Sequence, residues 1–248
     1  MSYLVCNSID FLILSIGSMN LLLYGLYVAS RAYVVHVTHT TGENLTPIQS
    51  ACVSSWTQAC NATRVIIWTD KSIPDVLKQC DIECPRCSGI QLSDLCRLCV
   101  LYLYGGVYAD TDVQCFSRFD TRLRPDVLYI YEGPSKIDNG IQNALIVSRK
   151  RKHPLLLTLL QSAKSWTWVW PISHSLDWSI LKASSVATAG NPWIRAVLGK
   201  SPGNMRLLPY EKYSCQKSAD AIPAYRKMLC NSSKTIKYAV HHNQKSWV

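Results

Sequence analysis

A chain of 248 residues with 48% apolar and 17% charged side chains is long enough for one sizeable α/β domain and too apolar for a disordered one. Its formal charge of +10 favours anionic partners, whether nucleotides, phospholipid surfaces or nucleic acid, without choosing among them. The sequence has no internal repeat and no low-complexity tract, so a globular fold is expected throughout.

In chain order, residues 11–29 carry no charged side chain over 19 positions. As a helix they would reach about 28 Å, against roughly 30 Å of bilayer hydrocarbon. A single N-terminal membrane anchor over residues 1–30 is the first reading, with a buried hydrophobic extension as the alternative. No Lys or Arg precedes the run and Arg31 follows it, so neither a cleaved signal peptide nor an N-terminus-in orientation is favoured. Residues 32–39, AYVVHVTH, read as the first strand of a folded domain over residues 31–248.

Residues 47–59 are a helix candidate, and residues 64–69 a second strand with Asp70 at its carboxyl end. Strand, helix, strand in that order predicts a mostly parallel sheet whose ligands lie beyond the carboxyl ends of its strands. Asn44-Leu45-Thr46, Asn61-Ala62-Thr63 and Asn231-Ser232-Ser233 are glycosylation sequons, meaningful only if the chain enters a secretory lumen. Eleven cysteines are many for a cytosolic enzyme, and the odd number leaves at least one unpaired if the rest form disulfides. The C-x2-C pairs at 84/87 and 96/99 have zinc-ligand spacing. Cys99, however, falls on an apolar helical stripe, where buried free cysteine is common.

That stripe belongs to residues 93–113, SDLCRLCVLYLYGGVYADTDV. Leu95, Leu98, Cys99 and Tyr102 recur at helical spacing from a cap near Ser93, and Asp94 and Arg97 share another face. Gly105 and Gly106 supply the positive-φ positions that end helices, and Val107-Tyr108-Ala109 reads as a short strand. Asp110 and Asp112 follow. Residues two apart in a strand share a face, so the carboxylates are expected to converge, and like charges that close call for a cation such as Mg2+ or Mn2+.

Further on, residues 128–132 are a strand candidate and residues 140–148 an apolar run holding Asn143. Residues 149–153, RKRKH, form the densest basic cluster, read as a solvated loop before a helix over residues 155–160. Trp166, Trp168 and Trp170 alternate and offer either an aromatic stacking surface or core packing. Near the end, residues 238–247 carry an apolar strand, then His241-His242 and Ser246-Trp247.

The order SD, R three residues after the Asp, an apolar helix, YGG-V-Y and D-x-D resembles the sugar-nucleotide-binding region of the DxD glycosyltransferases. It looks most like the group with yeast mannosyltransferases of the glycosyltransferase 32 type, α1,4-galactosyltransferases and capsule-sugar transferases. The resemblance implies a GT-A type single α/β domain, with a mostly parallel nucleotide-binding sheet flanked by helices. It also implies transfer of a hexose from a UDP- or GDP-linked sugar to a glycan or glycolipid acceptor, with retention at the anomeric carbon.

Carried over residue by residue, Asp110 and Asp112 hold Mn2+ or Mg2+ with His241, His242 being the second choice. Asp94 and Arg97 hold donor-sugar hydroxyls, His36 stands where an IHQ-W-like segment begins the nucleotide site, and Asn143 lies near the donor sugar among the catalytic residues. Ser246 and Trp247 match a closing H-x4-SW segment near the diphosphate, and residues 188–193, TAGNPW, stand where relatives show a TGP-like turn. Such an enzyme would be a single-pass membrane protein, in the Golgi or secretory lumen if eukaryotic, with no nucleic-acid partner. Two rivals fit less well. A haloacid-dehalogenase-like phosphohydrolase wants Thr or Val where Gln114 stands, and a basic zinc-dependent nucleic-acid binder leaves the YGG-DxD and HH-SW segments unexplained.

Overall fold

A computed structural model describes residues 33–40, 44–84, 87, 89–117, 123–131, 142–167, 194, 198, 203–208 and 239–241. The chain divides into residues 1–32 and residues 33–248, and every described residue lies in the second part. The elements in order are β1 (Val34–His39), α1 (Pro47–Gln58), β2 (Arg64–Thr69), α2 (Ile73–Gln79), α3 (Ile90–Tyr104) and β3 (Gly106–Ala109). They continue with β4 (Val113–Cys115), β5 (Leu128–Tyr131), β6 (Gln142–Ser148), α4 (Pro154–Thr167), β7 (Met205–Leu208) and β8 (Ala239–His241).

Six strands form one sheet in the order β2-β1-β3-β6-β5-β7, and β4 pairs separately with β8. Only β6 runs against its neighbours in the larger sheet, so the mostly parallel α/β arrangement expected from the strand and helix order is the one found. Alternation divides the core. Val35, Val37, Val107 and Ala109 turn toward Trp56 of α1, while Tyr108, Leu128, Ile130 and Ile146 turn toward α3 and α4. Both faces are therefore covered, as a parallel sheet requires. On α4, Leu156, Leu159, Leu160 and Ala163 form the buried stripe, and on α3 Leu95, Leu98 and Cys99 do.

Local chemistry sets the ends of these elements. α1 opens on a capping box in which the Gln49 amide donates to Thr46 Oγ1 (3.3 Å) and the Thr46 amide to Gln49 Oε1 (2.9 Å). α3 begins at Ile90 after Gly89, not at Ser93 as the sequence suggested, which leaves the Ser93 side chain free for tertiary bonds. Gly105 and Gly106, with φ of 66° and 100°, end α3 and start β3. At Gly106 an added Cβ would overlap the Val34 carbonyl oxygen, so the close approach of β1 and β3 demands glycine.

Among the described residues two disulfides join Cys60 to Cys115 and Cys84 to Cys87. Cys96 and Cys99 lie buried on α3 as free thiols, so the two C-x2-C pairs have different fates and make no common ligand set. The short elements α2, β4 and β7 were not visible in the sequence. Among the described residues no helix is long and apolar enough to cross a membrane, and residues 11–29 lie outside them. Trp168, Trp170 and residues 188–193 also lie outside the described residues, as does the side chain of Trp166.

Candidate active site

β3 ends at Ala109, and the acidic pair sits beyond it in a turn closed by the Val113 amide donating to the Asp110 carbonyl (3.0 Å). The Asp110 amide itself donates to the Ala144 carbonyl of β6 (2.9 Å). Strand alternation is thus not what relates the two carboxylates; a turn does, and it exposes them unequally. The Asp110 side chain is 30% exposed, and Asp112 is buried. α1 braces the turn, since Gln49 Nε2 donates to Thr111 Oγ1 (3.2 Å) and Trp56 Nε1 to the Val113 carbonyl (3.1 Å). Asp112 faces this helix. Burial first, and then the charge of Asp112, push the Cys52 thiol up to about 12.

On the other side of the turn α3 contributes Asp94 and Arg97, one helical turn apart and both buried. Arg97 Nη2 lies 2.9 Å from Asp94 Oδ1, and Arg97 Nη1 3.6 Å from Asp110 Oδ1. Nη1 also donates to the Asn143 carbonyl (2.8 Å), Nε to the Ser93 carbonyl (3.4 Å), and the guanidinium lies over the Tyr108 ring at 4.7 Å. With every nitrogen engaged inside the protein, Arg97 acts as the knot that ties Asp94, Asp110 and Asn143 together. Asn143 Nδ2 donates to the same Asp94 Oδ1 (2.9 Å), while Oδ2 of Asp94 bonds to none of the described residues. Burial raises the Asp94 carboxyl to about 6 against the pull of Arg97, with Asp110 adding to the rise.

His36 takes a different role from the one the resemblance implied. Its ring is fully buried, with Nδ1 accepting from Trp68 Nε1 (3.1 Å) and Nε2 3.0 Å from the Gly105 carbonyl. Because Nδ1 must accept, Nε2 carries the proton, and neither nitrogen is left for a nucleotide. Stacking on Trp68 and Tyr104, at 6.0 Å between ring centroids in each case, fixes the imidazole between sheet and helix end. Burial lowers its pKa to about 4, the Gly105 carbonyl opposing and Arg64 assisting.

The C-terminal strand reaches the same turn. β8 runs antiparallel to β4 with His241 opposite Val113, the residue after Asp112. The His241 side chain, His242, Ser246 and Trp247 lie outside the described residues. Among the described residues no three His, Cys, Asp or Glu groups gather as a metal site. Sequence reasoning missed Thr38, Gln49 and Tyr108, whose only signal was a polar atom at a strand or helix end next to the motif.

Residues 47–128, which hold Asp94, Arg97, Asp110 and Asp112, match the family model described as the glycosyltransferase sugar-binding region containing a DXD motif. No curated protein matches. Among solved structures the chain is similar to the PaToxG glycosyltransferase, at 15% identity over 67% of this chain and 68% of that one, with a TM-score of 0.46. It is also similar to a glycosyltransferase involved in glycosylation of the major capsid of PBCV-1, at 10% identity over 86% and 94% with a TM-score of 0.42. Mouse xyloside xylosyltransferase 1 in its apo form gives 9% identity over 86% and 98%, with a TM-score of 0.45. The match covers residues 47–128, about a third of the chain, and identifies that stretch as a DXD-containing glycosyltransferase sugar-binding region.

Proposed function

We propose that this enzyme moves a hexose from a UDP- or GDP-linked sugar to a glycan or glycolipid acceptor, with Mn2+ or Mg2+ as cofactor and with retention at the anomeric carbon. The observation that carries the reading is the acidic turn at the carboxyl edge of the sheet, tied through Arg97 to Asp94 and Asn143 inside the matched family region.

Asp110, Asp112 and His241 would hold the cation. Two carboxylates and an imidazole are a donor set that suits Mn2+ or Mg2+, and the β4–β8 register supports including His241. When bound, such a cation neutralises the charge that gathers on a diphosphate leaving group. The chain's own residues do the rest. Asp94 offers Oδ2 to a sugar hydroxyl while Arg97 and Asn143 hold Oδ1, so the acceptor atom is fixed before the donor arrives. Ser246 and Trp247 are assigned to the diphosphate by resemblance alone. Among the described residues no side chain stands out as a nucleophile, and an internal-return route needs none.

Residues 11–29 are proposed to anchor the enzyme as a single-pass membrane protein, with the catalytic residues in the secretory lumen if the source is eukaryotic. The Cys60–Cys115 and Cys84–Cys87 disulfides support an oxidising compartment, and Asn44 and Asn61 are exposed at two of the sequons.

A panel of UDP- and GDP-sugars, scored by metal-dependent sugar release, tests the reading. Asp112→Asn is expected to abolish release while leaving the circular dichroism spectrum unchanged; full activity in that variant would overturn the assignment.

A further inference from the structure

We propose that Thr38, Ser93 and Tyr108 form a one-way hydrogen-bond relay from Arg97 to Asp110, and that these three hydroxyls are positioning residues for the acidic turn. The functional consequence rests on the reading of Asp110 as a cation ligand; the relay itself follows from proton inventory.

The two ends of the chain fix its direction. Arg97 Nη2 lies 3.3 Å from Ser93 Oγ and can only donate, because a guanidinium has no acceptor. At the far end Tyr108 Oη lies 2.8 Å from Asp110 Oδ1, where an ionised carboxylate can only accept. The single phenolic proton is therefore committed to Asp110. Thr38 Oγ1, 2.7 Å from Tyr108 Oη, must then be the donor in that contact. With the Thr38 proton engaged, the contact between Thr38 Oγ1 and Ser93 Oγ has Ser93 as its donor. The order runs Arg97, Ser93, Thr38, Tyr108, Asp110. Each hydroxyl accepts once and donates once, and the longer Ser93–Tyr108 contact at 3.4 Å needs no further proton.

Thr38 and Tyr108 are buried, Ser93 is half-buried, and the relay crosses β1, α3 and β3. A buried hydroxyl cannot turn to water for an alternative partner, so loss of one link leaves its neighbours unsatisfied. Hydrogen bonds in series also polarise one another, so the cationic origin of the chain strengthens the last bond, the one that orients Asp110. The Arg97 guanidinium stacked on the Tyr108 ring adds a second restraint.

The test uses the full chain in four forms: Tyr108→Phe, Thr38→Val, their double variant, and Thr38→Ser, which restores the hydroxyl. Hydrogen–deuterium exchange of peptides spanning residues 106–115, in the absence of metal, reads the order of the turn. Mn2+ binding followed by electron paramagnetic resonance reads its use. Each single deletion is expected to speed exchange in that segment and to weaken Mn2+ about tenfold, the scale of one lost hydrogen bond to a charged group. The double variant is expected to be no worse than either single one, because both cut the same chain. Thr38→Ser is expected to match the wild type. Wild-type exchange in Tyr108→Phe, effects that multiply in the double variant, or a Thr38→Ser as impaired as Thr38→Val would each overturn the relay. Should Tyr108→Phe fail to fold, the Val and Ser variants at Thr38 decide it. A wild type that binds no Mn2+ while the deletions still loosen residues 106–115 would remove the cation reading and leave the relay standing.

Discussion

His36 shows how one residue can match a family position and do a different job. A histidine buried neutral binds its proton less readily in the folded chain than in the unfolded one: about 4 against 6.5. Between those values the unfolded state holds more protons, so stability falls as pH drops from 6.5 toward 4 and the loss levels off below that. The expected size is about 3 kcal/mol. Asp94, raised by burial, acts in the opposite sense, so the clean measurement compares variants. Urea denaturation at pH 7 and pH 4.5 is expected to show a smaller acid loss for His36→Gln than for the wild type, although the variant starts less stable. The legible part of the site at this scale was residue identity. Asp94, Arg97, Asp110 and Asn143 do meet, but the sequence could not show that Arg97 faces inward with every nitrogen engaged.

At the scale of elements, residues 93–113 were readable because their information is local: an apolar stripe, two glycines and a short strand follow one another directly. What was missed depends on distant partners. β4 is three residues long and is defined by pairing with β8, and α2, at seven residues, spans too few turns for its period to stand out. The start of α3 was misread because Ser93 looks like a cap, whereas its hydroxyl serves Thr38 and Arg97. Gly106 is the most demanding local position, with φ of 100° and the Val34 carbonyl oxygen where an added Cβ would sit. Gly106→Ala is expected to cost at least about 2 kcal/mol in chemical denaturation. Gly203→Ala, where an added Cβ meets nothing within 4 Å, is the control and is expected to be near neutral.

At the scale of the molecule, the order strand, helix, strand and the resemblance together predicted a mostly parallel sheet with chemistry at its carboxyl edge. The ends of β1 and β3 and the start of β6 converge there with the first turns of α3. The six-stranded sheet is complete without residues 239–248, since β8 belongs only to the smaller one. A chain truncated before Ala239 is therefore expected to keep its far-UV circular dichroism and lose metal-dependent sugar release. Retained release would show that His241 and its strand are dispensable.

The pairing of β4 with β8 also bears on the order of events during folding. Its partners lie far apart in the chain, so closing that ladder carries a large loop entropy and gains little until the six-stranded sheet has formed. The acidic turn is thus expected to be flanked on one side early and on the other only at the last step of assembly. A newly made chain would accordingly acquire its shape before its competence, and the interval between the two is measurable as a lag between recovery of secondary structure and recovery of donor turnover after dilution from denaturant.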